Sequence, residues 1–305
     1  MRVLVFGVNG MTGRAVAAAL AAAGWQVAGA GRSAERFPLA LRELGVAFVP
    51  ADRDDAKTVH TAVGGGFDVV IDAVAYTAAH ARSLLAASGD IGSIVAVSSK
   101  AVYVDAEGRH SNTDEPPDFG GPVAEDTATM APDFSGDYMS RLGYGSNKAA
   151  MEAVYRSADV PVTLLRPSRI HGPGNAWPRE EWVVRRLLEG QRLFRLPHAS
   201  TAGTHPTAAA NLARLVVTCA ERPAHRILNS ADPGTPTAAD VVRAIADTLD
   251  RPVEIVDDPA ADPSPWSTDP PFFLDTRASE ALGYRPVGDY ATTVRAAVDD
   301  VLARG

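Results

Sequence analysis

Tyr144 and Lys148 stand four residues apart in the stretch YGSNK. On a helix that spacing puts both side chains on one face, a turn apart. A free phenol holds its proton too firmly to exchange it well at neutral pH. A neighbouring ammonium stabilises the phenolate and lowers that pKa. The pair therefore reads as an acid–base device for an alcohol or ketone oxygen. A serine hydroxyl can hold the same oxygen, and VSSKAVY, Val97–Tyr103, offers two of them. These groups handle a proton only. Oxidation or reduction at the adjacent carbon needs a hydride carrier, which is a cofactor's chemistry.

The start of the chain has the features of a site for such a carrier. In FGVNGMTG, Gly7, Gly10 and Gly13 fall between the apolar run Val3–Phe6 and the alanine-rich stretch Thr12–Ala23. A diphosphate needs donors and room. Backbone N–H groups at a helix N-terminus supply the donors, and glycines supply the room and the tight turn. The alternative is a glycine-rich turn in another α/β fold.

The end of the second strand discriminates between carriers. NAD is held by a carboxylate there, on the free ribose hydroxyl. This chain has AGAGRS and no carboxylate before Glu35. Arg32 can pair with the extra phosphate of NADP, and Ser33 can add a donor. NADP is thus preferred over NAD; the competing reading of Arg32 is a solvated surface arginine. After the third strand come Asp52 and Arg53, both expected to contact the cofactor. Asp52 either accepts from the adenine amine or caps the next helix.

These groups must be positioned by a regular scaffold. Short apolar strands are predicted at Val3–Phe6, Trp25–Ala30, Val46–Val49, Phe67–Asp72, Ile91–Ser98 and Val160–Leu165. Helices are predicted at Thr12–Ala23, Asp54–Val63, Thr77–Ala87 and Tyr144–Ala158. Fully apolar strands alternating with helices imply an α/β fold with a doubly wound parallel sheet, buried on both faces. The last third adds helices at 180–189, 207–220, 238–249, 276–282 and 290–302, and a strand at 253–256. These fit a smaller C-terminal α/β lobe. The division expected is a dinucleotide-binding domain over 1–170, with 205–230 returning to it, and a substrate lobe over 171–204 and 231–305. Residues 104–142 break the pattern. They are rich in Asp, Glu, Pro and Gly, and a loop of that length either shapes the substrate mouth or decorates the surface.

Composition narrows the function. The 305 residues are 46% hydrophobic and 22% charged, as in a globular protein, and carry a formal charge of −8. That balance disfavours nucleic acid as a partner. The single cysteine, Cys219, lies in a predicted helix and excludes an internal disulfide; a buried core position is expected for it. The sequence shows no apolar run long enough to span a membrane, and Met1–Phe6 is too short for a signal peptide core. A cytoplasmic location is expected. The seven histidines have no metal-ligand spacing, so no metal is expected.

The chain resembles the extended short-chain dehydrogenase/reductase superfamily, in its NAD-dependent epimerase/dehydratase branch, over nearly its whole length. GVNGMTG is similar to the branch's glycine motif, which implies that Asn9 and Met11 join the glycines at the cofactor. FDVVIDAVAYT is similar to the fourth strand, whose end lies over the adenine ribose, which implies contacts from Ala73, Val74 and Ala75. In SSKAVY the family's active serine or threonine falls four residues before the tyrosine, implying Ser99 rather than Ser98. YGSNK matches YxxxK, implying Tyr144 and Lys148 as catalytic and cofactor-binding groups. LLRPSRIHGPG is similar to the segment flanking the nicotinamide, implying Pro167, Ser168 and Arg169 as neighbours of cofactor or substrate. Near the end, DTRASEALGYRP resembles the family's closing element.

Departures from the family pattern are visible too. The gap between Ser99 and Tyr144 is long for a sugar epimerase. THPTAAANLARLVV keeps His205 of a histidine–valine–aspartate pattern but lacks the acid. His171 either touches substrate or makes a structural hydrogen bond. Arg185, Arg186, Arg192 and Arg195 either grip a diphosphate or form a solvated face, and the acids of 105–137 are expected to face water. The missing acid after the second strand and the presence of Arg32 favour a reductase or dehydrogenase that transfers a hydride between NADP(H) and a ketone or secondary alcohol. The branch resemblance implies the alternative, a nucleotide-sugar epimerase or dehydratase that retains its NAD. A non-catalytic dinucleotide sensor is a third reading, opposed by the presence of both Tyr144 and Lys148. Homodimers are common in such proteins.

Overall fold

In a computed structural model, which describes residues 1–87, 89 and 91–304, strand β1 (Arg2–Phe6) has no solvent face. Val3 and Val5 pack into one apolar layer, with Val16 and Leu20. Leu4 and Phe6 pack into the other, with Val59 and Leu84. A strand buried on both sides needs helices on both sides, which is why its sequence is a continuous apolar run.

Helix α1 (Met11–Ala22) leads to β2 (Gln26–Gly31), and a short α2 (Leu39–Glu43) to β3 (Ala47–Pro50). Then α3 (Ala56–Val63), β4 (Phe67–Asp72), α4 (Ala78–Leu85) and β5 (Ile91–Val97) follow in alternation. After a long excursion the alternation resumes with α5 (Gly143–Arg156) and β6 (Val162–Pro167). The short β7 (Ile170–His171), α6 (Glu181–Leu188), β8 (Leu193–Leu196) and β9 (Thr207–Ala208) come next. Helix α7 (Ala209–Glu221) and β10 (Arg226–Ser230) precede α8 (Ala238–Thr248), β11 (Glu254–Asp257), α9 (Arg277–Ala281) and α10 (Tyr290–Leu302).

Seven strands form one parallel sheet in the order β10-β6-β5-β4-β1-β2-β3. The order reverses between β4 and β1. A crevice opens there at the carboxyl ends of the strands. The predicted doubly wound sheet is present, and most element ends agree within two residues. The strand β10 is not anticipated by the sequence reading, nor are α2, β7, β8 and β9. A separate apolar cluster joins α6, α8 and α10 around the buried Trp266.

Residues 104–142 are tied down rather than loose decoration. Tyr103 bridges to Thr129, and Val123 bridges to Leu274. Arg166 donates to the Glu125 carbonyl at 3.0 Å, and the Asn229 N–H donates to the Glu125 carboxylate at 2.7 Å. Asp105 corrects the expectation that the acids here face water. It is 6% exposed and accepts from Arg109 at 2.6 Å and from the Asp118 N–H at 2.9 Å.

Candidate active site

The turn between β1 and α1 is built for close approach. Gly7 has φ +82°, and a Cβ there would press on Val74. A Cβ at Gly13 would collide with the Gly7 carbonyl. Gly10 starts α1 with no side-chain cap and no acid in the first turn, leaving the positive end of the helix to a ligand.

Above this turn lies a cleft of about 690 Å³, lined by Gly7, Asn9, Gly10, Arg32, Ser33, Asp52, Arg53 and Val74. Met11, Gly13, Ala73 and Ala75 stand outside its lining. Three polar atoms of lining residues are buried without partners: Asn9 Oδ1, Arg14 Nε and Arg53 Nη1. Such atoms are costly unless a ligand or water satisfies them. The bare helix end, the glycine bed and these orphaned groups fit a dinucleotide.

Arg53 departs from a purely cofactor-facing role. It donates to Asp72 at 2.5 Å and to the His80 carbonyl at 2.9 Å, leaving only Nη1 uncommitted. Asp72 also accepts from Tyr155 at 2.6 Å. Burial alone would raise its pKa, but the Arg53 guanidinium and the hydrogen bonds hold its carboxyl below the usual range. Asp52 does not cap α3. Asp55 does, accepting from the Lys57 N–H at 2.9 Å. Arg32 is exposed at the rim with Arg36, and among the described residues no carboxylate pairs with either.

Beyond the cleft is a chamber of about 880 Å³, lined by Ser98, Ser99, Tyr144, Pro167 and Ser168 among others. Asn175 lines both spaces. Ser99 caps a one-turn 3₁₀ segment, Lys100–Val102, by accepting from the Ala101 N–H at 3.1 Å. Ser98 is held elsewhere: it donates to Glu152 at 2.5 Å, and Glu152 pairs with Arg166 at 2.6 Å. Of the two serines, Ser99 is therefore the one available to a ligand.

The expected readying of Tyr144 by Lys148 is corrected here. Burial pushes the Tyr144 phenol up, and the opposing influence is the Ser99 hydroxyl. The Lys148 ammonium donates to the carbonyls of Ala75 (2.5 Å) and Val97 (2.9 Å) and lies 4.5 Å from the Tyr76 ring centroid. Burial pushes Lys148 down to about 8, against the pull of Asp72 and Glu152. The helical spacing places tyrosine and lysine on one face, but carbonyl oxygens compete for the ammonium.

Sequence reasoning misses several wall residues. Tyr76 stacks on Tyr138 of the excursion, ring centroids 4.9 Å apart, and lies 6.5 Å from the Tyr144 ring. Tyr76 and Tyr138 line the cleft, while Ser111–Asp114 line the chamber. The excursion thus walls both spaces. Asp300 and Arg304, at the end of α10, also line the cleft. Asp300 accepts from the Gly174 N–H at 3.0 Å, and Arg304 donates to the Asn175 carbonyl at 2.5 Å. No local motif marks these residues, because only the fold brings the last helix to the first turn.

Other candidates resolve into structural roles. His171 Nε2 lies 2.9 Å from Asp232 and is buried. His205 bonds the Asp232 carbonyl at 2.8 Å. Asp232 also accepts from the Ala208 N–H and from Asn211 at the start of α7. It therefore supplies, from a distant segment, the acid missing after His205. Arg185 pairs with Glu181, Arg186 stacks 3.9 Å over Trp182, Arg192 donates to the Leu187 carbonyl at 3.2 Å, and Arg195 pairs with Asp258 at 3.5 Å. None of the four lines the chamber. Cys219 is buried in α7, and burial pushes its thiol up to about 11, far from a nucleophile's range. Among the described residues, no helix is long and apolar enough to cross a membrane, and no three His, Cys, Asp or Glu are grouped to hold a metal.

Comparison with known proteins agrees with this geometry. The family model "NAD dependent epimerase/dehydratase family" matches residues 3–202. No curated protein matches by sequence. Among solved structures, the Bordetella bronchiseptica enzyme WbmH in complex with NAD+ is 18% identical, with a TM-score of 0.74, over 100% of this chain and 99% of that one. The Thermus thermophilus UDP-glucose 4-epimerase complex with NAD is 18% identical, with a TM-score of 0.70, over 100% of both chains. The Bacillus anthracis dTDP-glucose 4,6-dehydratase in complex with NAD is 14% identical, with a TM-score of 0.73, over 99% of this chain and 97% of that one. With the glycine turn, the crevice and the YxxxK helix in place, the chain belongs to the NAD-dependent epimerase/dehydratase family.

Proposed function

We propose that the protein is a nucleotide-sugar epimerase or dehydratase that keeps a nicotinamide dinucleotide bound while a secondary alcohol is oxidised and the resulting ketone is reduced or carried forward. The observation that carries this reading is a pair of neighbouring spaces. The cleft over the glycine turn and the chamber share Asn175 in their walls, and Ser99 and Tyr144 stand on the chamber side. A chamber of about 880 Å³ lies at the upper end of small-molecule sites and suits an extended, nucleotide-linked substrate. The clasp of Asp300 and Arg304 on residues 174–175 supports retention of the cofactor.

Gly7, Gly10 and the start of α1 would hold the diphosphate, with Arg14 and Asn9 completing it. Asp52 and Val74 would border the adenosine, and Lys148, Pro167 and Ser168 the nicotinamide half. When bound, the nicotinamide supplies the hydride acceptor and, once oxidised, a positive charge. The chain's own task is the proton. Ser99 holds the substrate oxygen, and Tyr144 takes and returns its proton. Because burial alone raises the phenol, charge brought into the site is what must favour the phenolate.

A second reading has its own observation. The rim of Arg32, Ser33 and Arg36, with no acid at the end of β2, favours a phosphorylated ribose and hence a reductase that uses NADP(H) dissociably. One experiment separates the two. Denaturing the purified protein and identifying what is released should yield about one dinucleotide per chain on the first reading. An empty protein that oxidises added NADPH establishes the second instead. In that case Arg32→Glu with Arg36→Glu should weaken NADPH by about 10–100-fold and leave NADH nearly unchanged, since charge-assisted hydrogen bonds to a phosphate are being removed.

A further inference from the structure

The chamber gathers three basic side chains, and among the described residues two of them, Lys100 and Arg169, have no carboxylate partner. Among the described residues four lysines and arginines are buried: Arg53, Lys100, Lys148 and Arg166. Arg53 pairs with Asp72 and Arg166 with Glu152, while Asp72 and Glu152 both act on Lys148. Lys100 is the exception. Its ammonium donates to the Thr204 hydroxyl at 2.8 Å, reaches the Phe272 carbonyl at 3.5 Å and lies 4.0 Å from the Phe272 ring centroid. All of these partners are neutral.

Two guanidiniums add to the same field. Arg169 donates to the Pro265 carbonyl and to the Thr268 hydroxyl at 3.4 Å, again neutral groups. Arg179 packs toward the Trp266 ring at 5.9 Å. Both line the chamber with Lys100. Burial and then the two guanidiniums push Lys100 well below its ordinary range. Burial and then Arg179 push Arg169 down to about 10. Glu180 offsets Arg179 alone. The carboxylates lining the chamber are exposed and have other neighbours: Asp114 pairs with Arg141 at 2.8 Å, and Asp269 lies 3.5 Å from the His198 imidazole.

A buried basic group among neutral partners is costly to charge, and the counter-charge of a bound anion offsets that cost. A second sign of a ligand is Ser168. Its hydroxyl is buried without a partner, and the residue lines the same chamber. Position selects which part of a substrate is involved. Lys100 follows Ser99 directly in the chain, and Arg169 follows Ser168. Lys100, Arg169 and Arg179 line the same chamber as Ser99 and Tyr144, which puts them in the substrate space and not in the cleft over the glycine turn.

We propose that Lys100, Arg169 and Arg179 bind an oxyanion, a carboxylate or a phosphate, carried on the sugar close to the carbon that is oxidised. This deepens the nucleotide-sugar reading and rests on it. The substrate would be an acidic sugar derivative rather than a neutral hexose.

Calorimetric titration of the dinucleotide-loaded protein tests this, with UDP-glucuronate and UDP-glucose as a pair that differ in one carboxylate. Lys100→Met should weaken UDP-glucuronate by about 10–100-fold, the effect of removing a charge-assisted hydrogen bond, and leave UDP-glucose almost unchanged. D-glucuronate and inorganic phosphate, titrated as bare anions, separate the carboxylate from the phosphate source. If neither UDP-sugar binds but a bare anion still binds in a Lys100-dependent way, the nucleotide reading fails and the anion site stands. Equal weakening of both UDP-sugars, which would put the cations on the diphosphate, overturns the proposal. So does the absence of any Lys100-dependent anion binding. Arg179→Gln, at a half-exposed position, repeats the comparison should Lys100→Met not fold.

Discussion

Replacing Tyr144 by phenylalanine is expected to lower kcat by about 10²–10⁴-fold, the usual range for removing a positioned proton-transfer group. Dinucleotide binding should be nearly unchanged. The phenol lines the chamber, so its loss leaves the glycine turn intact. Ser99 is the side chain that acts on the same phenol, pulling its pKa down against burial. Ser99→Ala should therefore move kcat in the same direction, with a total for the double variant well short of the product of the two. Steady-state rates with a fluorescence titration of the dinucleotide check both parts. A large loss of dinucleotide affinity in Tyr144→Phe would mean that the residue shapes the cofactor site instead.

Asp72→Ala should destabilise the fold by about 3–5 kcal/mol, since it leaves the Arg53 guanidinium buried and unpaired. Arg53 is 7% exposed and Asp72 0%. The variant also strips the Tyr155 hydroxyl of its acceptor at 2.6 Å. Urea unfolding at neutral pH measures the loss. The pair also sets part of the acid limb. The folded Asp72 carboxyl is held below its ordinary 3.8. Its contribution is thus fully present above that value and is lost as pH falls through the lower, folded one. The wild-type protein should lose this part of its stability below about pH 4, and Asp72→Ala should show a shallower fall over the same range.

The inner sheet is legible in the sequence because burial on both faces leaves β1, β4 and β5 almost purely apolar. The strand β10 escapes that logic. Its Asn229 accepts from the Tyr103 hydroxyl at 2.6 Å and donates to the Val123 carbonyl at 2.8 Å. Polar residues placed there for long-range bonding disguise a strand. The placing of Tyr144 and Lys148 on one helix is legible from the YxxxK spacing, and the glycine turn from its place between strand and helix. The state of the phenol is not legible, since burial and the diversion of Lys148 to two carbonyls depend on the assembled fold. Arg53 reads as a cofactor contact from its position beside Asp52, yet its partner Asp72 lies 19 residues away. The arginines of the stretch 185–195, which the sequence offers either as a diphosphate grip or as a solvated face, are not the cations of the chamber. Those cations come instead from three separate segments, at Lys100, Arg169 and Arg179.

On the proposed function, Tyr144 moves a proton while a hydride passes to or from a dinucleotide seated on the glycine turn. A single-turnover experiment reads both together. The dinucleotide-loaded protein is mixed with UDP-glucuronate or UDP-glucose while the absorbance of the reduced nicotinamide is followed. A rise in that signal is expected with at least one of the sugars for the wild type, and almost none for Tyr144→Phe carrying the same amount of dinucleotide. A rise of equal rate and size in the variant would contradict this reading.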